Sequence, residues 1–121
     1  MGEPIDMSNS IIDLDHKGRA SVRPSVYGPP KRIDGYTFGA PYLTTDPPHN
    51  GELHPDGDEL LYLIEGAVDV RLEEPGGDRV VSLGPGEALV VPKGTWHKVM
   101  LREPSRMIHL TPGPGGDHRP I

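Results

Sequence analysis

The stretch "GELHPDGDELLYLIEG", residues 51–66, places a cluster of polar side chains directly before an apolar run. Its first half sets a histidine among acids, and its second half is a short apolar strand that ends at a glycine. Two interpretations fit: a solvated turn leading into an ordinary strand, or the rim of a metal pocket with the strand as its wall. Because "PDGD" is typical of a turn, Asp56 and Asp58 fit the first interpretation. The roles of the other polar residues in this stretch can be interpreted only together with the rest of the sequence.

The bulk composition predicts a single domain rich in β-strands. With 121 residues, the chain suits one domain that can bury a small core. Only 34% of its residues are hydrophobic, and its 16 glycines and 15 prolines approach the content at which disorder becomes plausible. Because much of this glycine and proline stands in turn-like clusters between apolar runs, it predicts many short strands instead.

Charge and composition argue against several classes of function. The chain has no cysteine, which excludes disulfides and thiolate metal sites. A formal charge of −6 without a basic patch argues against a nucleic-acid partner. The first ten residues lack the pattern of a signal peptide, and no run approaches the ~18 apolar residues of a membrane span. We therefore expect a soluble, cytoplasmic protein with no membrane partner.

The chain divides into three parts by composition. Residues 1–35 are rich in proline towards their end and predict an irregular N-terminal arm. Residues 36–111 predict a β-barrel domain, and residues 112–121 form a Pro/Gly-rich tail that we expect to be extended or mobile. No apolar pattern with helical spacing persists for three turns, so no helix is predicted.

At least seven short strands are predicted between the two ends. In "AVDVRLE", Val68, Val70 and Leu72 alternate with polar residues and share one face. "EEPGGD" predicts a hairpin connection to the strand "RVVSLG". "EALVVP" follows, and then "WHKVMLR" and "RMIHLT", which a turn around Pro104 would join. This series indicates an all-β sandwich or barrel.

Two acids and two histidines stand where predicted strands begin or end. Glu52 and His54 are two residues apart on an extended segment, so their side chains share a face. A hairpin across "PDGD" would bring Glu59 back across from His54. His97 follows a Pro-x-Gly turn and begins another strand. Two imidazoles and a carboxylate suit a divalent cation and leave coordination positions open, and Glu52 could be a further ligand or a general base.

These two segments resemble the two sequence motifs of the cupin superfamily. The first motif is matched as Glu52-x-His54, four residues, Glu59, six residues and Gly66. The second is matched as Gly86, five residues, Pro92-x-Gly94, two residues and His97, with Leu101 where asparagine is usual. The family has histidine where this chain has Glu52, so its usual three-histidine, one-glutamate set becomes two and two.

The resemblance implies a small single-domain cupin, folded as a double-stranded β-helix, or jelly roll. It implies one divalent transition metal ion (Fe, Mn, Ni or Zn) bound by four side chains: Glu52, His54, Glu59 and His97. Glu52 is also the expected catalytic residue, since it could exchange between ligand and base. His49 could replace it as a ligand if its loop folds inward, and both His49 and His109, the latter on the last strand, are candidates to line the substrate pocket.

The resemblance also bounds the activity. A metal-dependent enzyme would act on a small oxygen-rich substrate, such as a carboxylate, an enediol or a catechol-like group. Iron would favour a dioxygenase, whereas zinc, manganese or nickel would favour an isomerase, a lyase or a cyclase. The alternatives are a non-catalytic sensor or small-molecule-binding cupin and a structural subunit with a vestigial pocket. Exposed sheet edges and the proline-rich arm predict a homodimer in which the arm crosses to the neighbour.

Overall fold

Ten antiparallel strands joined in one sheet make up the computed structural model, which describes residues 2–121. The strands are β1 Ser10–Asp15, β2 Ala20–Pro24, β3 Gly35–Gly39, β4 Tyr42–Leu43, β5 Glu52–Leu53, β6 Glu59–Glu74, β7 Gly77–Leu83, β8 Ala88–Val91, β9 His97–Pro112 and β10 Asp117–His118. Within residues 2–121 there is no helix, and accordingly none that is long and apolar enough to cross a membrane.

The long strands β6 and β9 run side by side and belong to both halves of the fold. In the first half the strand order is β8-β6-β9-β3-β1-β2, and in the second it is β7-β6-β9-β5-β10. Between the halves, the β6–β9 register shifts between Leu63 and Val68, where bulges bend the strands. Core residues from both halves form one cluster, so the halves face each other. This arrangement confirms the predicted all-β jelly roll.

The sheet does not close into a barrel, contrary to the barrel predicted from the sequence. Among residues 2–121, the strands β2, β7, β8 and β10 each pair with one neighbour only. Closure would require these edges to pair with one another. The halves are instead held together by the bent strands β6 and β9 and by the core between them.

Two boundaries predicted from turn residues are also wrong. "LLYLIEG" and "AVDVRLE" belong to one strand, β6, and β9 continues through Pro104 without a turn. Pro104 lies where the β6–β9 register is irregular, so its missing N–H removes no regular ladder hydrogen bond. Gly66 lies at the matching bend of β6. Both residues therefore mark bulges inside long strands instead of strand ends.

The prediction of an irregular arm is wrong for residues 10–24, which form the hairpin β1–β2 beside β3. The inward face of β1 carries Asp13, which hides its alternation from a hydrophobicity pattern. The buried carboxylate of Asp13 accepts hydrogen bonds from the Arg23 guanidinium and from the Thr37 hydroxyl. β1 pairs with β3 of the same chain. The division of the chain at residues 35 and 111 and the crossing of the arm stay predictions.

The C-terminal tail is extended and anchored. β10 pairs with β5, and the backbone of Arg119 exchanges hydrogen bonds with Asn50 and Gly51. The Arg119 guanidinium lies 4.0 Å from the centroid of the Trp96 ring and pairs with the Glu73 carboxylate. The tail therefore covers the segment that carries Glu52.

The outward side of the first half presents a continuous surface of apolar side chains. Cross-strand partners share a face, and the registers place six apolar residues in one row across six strands, with four more beside that row. We call this surface the outer apolar face; its members are Val22, Ile12, Leu14, Tyr36, Phe38, Ile108, Leu110, Leu60, Tyr62 and Val90. Leu14, Val22 and Val90 are 45%, 42% and 53% exposed, so this face lies open to solvent in the single chain.

Candidate metal centre

Four acid and imidazole side chains converge on the inner side of the sheet. One ligand atom from each of them lies within 4.8 Å of the others, and they are the residues predicted from the sequence: Glu52, His54, Glu59 and His97. Glu59 and His97 are the first residues of β6 and β9, and Glu52 on β5 pairs directly with His97. The predicted hairpin between His54 and Glu59 is wrong, because β5 pairs with β9 and β10 instead of β6.

Glu59 is the central anion of this group. Its side chain is 4% exposed; one oxygen lies 2.9 Å from Nε2 of His97, and the other accepts a 2.6 Å hydrogen bond from the Thr111 hydroxyl. Burial alone would raise the pKa of Glu59, but the imidazoles of His54 and His97 hold that pKa well below its usual value. A buried carboxylate is therefore kept ionised and fixed in orientation.

His97 presents a defined ring nitrogen to the group. Its Nδ1 donates a 3.1 Å hydrogen bond to the Thr95 carbonyl, which leaves Nε2 directed at Glu59. Burial would lower the pKa of His97, but the hydrogen bond and charge of Glu59 outweigh it and raise the pKa. A backbone carbonyl that fixes the imidazole tautomer is the usual support for a metal-ligating histidine.

His54 is the least satisfied side chain of the group. Both its ring nitrogens are buried without a hydrogen-bond partner. Nε2 lies 3.4 Å from an oxygen of Glu52 and 3.3 Å from one of Glu59, within ion-pair range but not in hydrogen-bond geometry. Burial would lower the pKa of His54, but the two carboxylates raise it to about 9. A cation between these atoms would satisfy the nitrogen and both carboxylates, so the residues fit a metal ion.

Glu52 is held more loosely than Glu59. Its side chain is 14% exposed, and its Oε1 lies 3.6 Å from Nε2 of His49 and 3.9 Å from Nη2 of Arg32. Burial would raise the pKa of Glu52, but its contact with His54 prevails and lowers the pKa. His49 is buried beside the group of four without belonging to it, and its Nδ1 accepts a hydrogen bond from the Gly51 N–H.

A cavity of about 270 Å³ opens beside the group. Glu52, Glu59 and His97 lie on its polar side, together with both histidines predicted to line the pocket, His49 and His109. The remaining wall is mainly apolar and includes Ile11, Leu43, Leu61, Val99 and Met107. The arrangement therefore sets a small apolar chamber against a cluster of potential metal ligands.

The orientation of the His109 ring is fixed by a hydrogen bond to Thr111 and by close packing against Gly39. Its Nδ1 lies 2.9 Å from the Thr111 hydroxyl, which in turn donates to Glu59. Gly39 faces it across the β3–β9 pair, and a Cβ there would collide with the imidazole, whose Cε1 would lie only 2.9 Å away. Burial lowers the pKa of His109, so the ring is neutral near pH 7.

Two cavity residues were missed in the sequence. Thr111 stands two residues after His109 on the same face of β9, so strand alternation alone could have revealed it. Arg32 lies between β2 and β3 in a segment without periodicity, and no sequence signal points to it. Both side chains line the cavity.

Comparisons with known proteins agree with this fold. The sequence model of the cupin domain family matches residues 43–111. The solved structure of a cupin-2 domain containing protein from Shewanella frigidimarina is similar at 24% identity with a TM-score of 0.55, over 68% of this chain and 74% of that one. No protein of curated function matches the sequence.

Two enzymes of known structure are also similar. A variant of oxalate decarboxylase from Bacillus subtilis is similar at 17% identity with a TM-score of 0.56, over 69% of this chain and 23% of its own. HppE, crystallised with Fe(II) and an alternative substrate, is similar at 17% identity with a TM-score of 0.51, over 74% of this chain and 55% of its own. At such identities, these similarities show a shared fold alone.

Proposed function

Because this chain belongs to the cupin family, we propose that it binds one divalent transition metal ion and acts on a small oxygen-rich molecule in the adjacent cavity. The ligands are Glu52, His54, Glu59 and His97. The observation that carries the proposal is Nε2 of His54, which is buried without a hydrogen-bond partner between two carboxylates. Bound there, Fe, Mn, Ni or Zn would act as a Lewis acid on an oxygen of the substrate.

The two carboxylates and the apolar wall of the cavity have different roles in the proposed reaction. Glu59 is fixed by Thr111 and His97 and serves as a permanent ligand. Glu52, held only by longer contacts, is the ligand that can move and act as a general base. The apolar wall excludes water from the reacting group. The reaction is a dioxygenation, an isomerisation, an elimination or a cyclisation, and the metal chosen narrows this set.

Metal content by elemental mass spectrometry tests the proposal. Untagged protein purified without chelator is expected to carry close to one transition metal ion per chain, and the His54→Ala and His97→Ala variants at least tenfold less. His16→Ala is the matched control, because His16 lies in the exposed β1–β2 turn. A folded parent that neither carries nor takes up Fe, Mn, Ni or Zn would contradict the proposal.

Turnover separates the enzyme from its alternative. Metal-loaded parent is offered carboxylates, enediols and catechols, and their consumption is followed by mass spectrometry. Conversion that depends on His54 and His97 supports the enzyme. Metal and ligand retained without conversion would support the non-catalytic cupin that binds a small molecule as a sensor.

We also propose that two copies of the chain associate through the outer apolar face. The exposed parts of its ten side chains amount to roughly 600 Å², taking about 150–250 Å² for a large aromatic side chain and less for an aliphatic one. A standard interface takes about 800 Å² from each partner, so this face with a polar rim is large enough. It carries no charged side chain, which makes it complementary to a second copy of itself.

Light scattering during size-exclusion chromatography tests the dimer. The parent is expected at twice the chain mass of 13.1 kDa, and the double variant Leu60→Glu, Val90→Glu at the mass of one chain. These two residues are cross-strand partners, so the variant places two like charges side by side at the β6–β8 end of the proposed interface. Val80→Glu is the control, since Val80 is 55% exposed on β7, outside this face. A parent with the mass of one chain at tens of micromolar would overturn the dimer.

A further inference from the structure

Arg32 is a buried cation that lacks a matching anion. Its side chain is 10% exposed, and its Nη1 is buried without a hydrogen-bond partner. Among the described residues, its ion-pair contact is with Oε1 of Glu52, which lies 3.9 Å from Nη2 and is beyond hydrogen-bond distance. A guanidinium has five N–H donors, and leaving a buried donor unpaired costs about 1–3 kcal/mol, or more for a charged group. Arg32 therefore has open donors, and its side chain lines the cavity beside the proposed metal ligands.

The positive charge of Arg32 is not balanced by the other charged side chains around the cavity. Glu52 and Glu59 together neutralise the divalent ion of the proposed function. Asp46 also lines the cavity, but it is exposed, and its carboxylate accepts the Leu101 N–H, so solvent and this bond balance its charge. With the metal bound, the inner part of the cavity carries one positive charge that no side chain offsets.

We infer that Arg32 binds the carboxylate of the cavity's ligand, which is therefore the monoanion of a small carboxylic acid with an apolar body. The inference rests on the proposed function, because the charge balance includes its metal ion. Guanidinium and carboxylate match in shape and form two parallel hydrogen bonds. A simple catechol is uncharged in solution at neutral pH and does not supply this anion. The wall of Leu43, Leu61, Val99 and Met107 accommodates the apolar body.

The size of the cavity limits the acid. A volume of about 270 Å³ lies below the roughly 300–1,000 Å³ of sites for drug-sized ligands. Benzoate is a suitable probe, because it joins one carboxylate to a compact apolar ring. Benzamide has nearly the same shape without the charge, and catechol carries neighbouring oxygens without a carboxylate.

Isothermal titration calorimetry with these three probes tests the inference on metal-loaded and on chelator-treated protein. Benzoate is expected to bind the parent at least tenfold more tightly than benzamide or catechol. Arg32→Met is expected to weaken benzoate binding at least tenfold and to leave the metal content unchanged. Arg79→Met removes the same charge from the exposed β6–β7 hairpin and is expected to bind benzoate like the parent.

Each outcome of the titrations either supports or overturns the inference. Benzoate binding that is equal in the parent and in Arg32→Met, equal affinity for benzamide, or no benzoate binding by the parent overturns the inference. If Arg32→Met fails to fold, Arg32→Lys keeps the charge but loses the two-pronged geometry, and undiminished benzoate affinity in it would count against the inference. Arg32-dependent binding by protein that takes up no metal refutes the proposed metal centre and leaves the carboxylate contact standing. Metal uptake by a protein that binds benzoate independently of Arg32 supports the proposed metal centre and refutes the carboxylate contact.

Discussion

Replacing Glu59 with glutamine is expected to reduce metal affinity by more than a hundredfold, the largest loss from any single replacement at the site. Mutation of a group that only supports a metal ligand lowers metal affinity about 10–100-fold. Glu59 is the fixed anionic ligand itself, so a larger loss is expected. A glutamine there has one acceptor oxygen, and if that oxygen stays on the Thr111 hydroxyl, its N–H donors turn towards Nε2 of His97. Competition with a chelator of known affinity measures the loss.

Glu52→Gln is the matched comparison, because it removes the same charge from a residue held only by longer contacts. We expect a smaller loss of metal affinity, about tenfold. Equal losses in the two variants would contradict the distinction between a fixed and a movable carboxylate. Retention of metal by Glu59→Gln at the affinity of the parent would remove Glu59 from the ligand set.

The pKa of His54 gives a second measurement on the Glu59→Gln variant. In metal-free parent its pKa is raised to about 9, because the carboxylates outweigh burial, which acts to lower it. Glu59→Gln removes one of those carboxylates and leaves burial unchanged, so the pKa falls. Proton NMR of the imidazole ring as a function of pH is expected to show this downward shift, and an unchanged titration would contradict the electrostatic account of the site.

Gly66→Ala is expected to destabilise the fold by roughly 3 kcal/mol or more, the sum of backbone strain and overpacking. Gly66 lies at the bend of β6 with φ +97°, which side chains rarely adopt. A Cβ there would collide with the Ser105 hydroxyl and lie 2.5 Å from the Pro104 carbonyl oxygen. Ser105 is fully buried and accepts the Ala67 N–H, so it cannot move aside. Thermal unfolding is expected to shift downward by about 10 °C or more.

Two glycines of the β6–β7 hairpin separate the two causes. Gly77 has φ +123° but open space around its Cβ position, so Gly77→Ala reports strain alone and is expected to cost about 1–3 kcal/mol. Gly76 has open space and no positive φ, so Gly76→Ala is expected to be nearly neutral. A Gly66→Ala variant that is no less stable than Gly77→Ala would show that the contact with Ser105 is unimportant.

Alternation and turn residues in the sequence were enough to predict an all-β fold, and the resemblance to the two cupin motifs added the jelly roll and the four side chains that meet in it. Alternation placed Val68, Val70 and Leu72 on one face, because successive side chains of a strand point to opposite sides whatever the strand pairs with. The match of His54, Glu59 and His97 to the cupin motifs identified the convergent group, whereas the hairpin that the local turn residues predicted between His54 and Glu59 does not form.

Pairing between distant segments decided the rest. The positions of β5 between β9 and β10, of the hairpin β1–β2 beside β3, and of the open edges depend on contacts far apart in the chain, which no local pattern encodes. Arg32 is the clearest case, since its segment lacks periodicity and its proposed role follows only from what surrounds it. The sequence by itself determined which side chains are available for chemistry; the tertiary structure decided which charges remain unbalanced, because burial and distance set that balance.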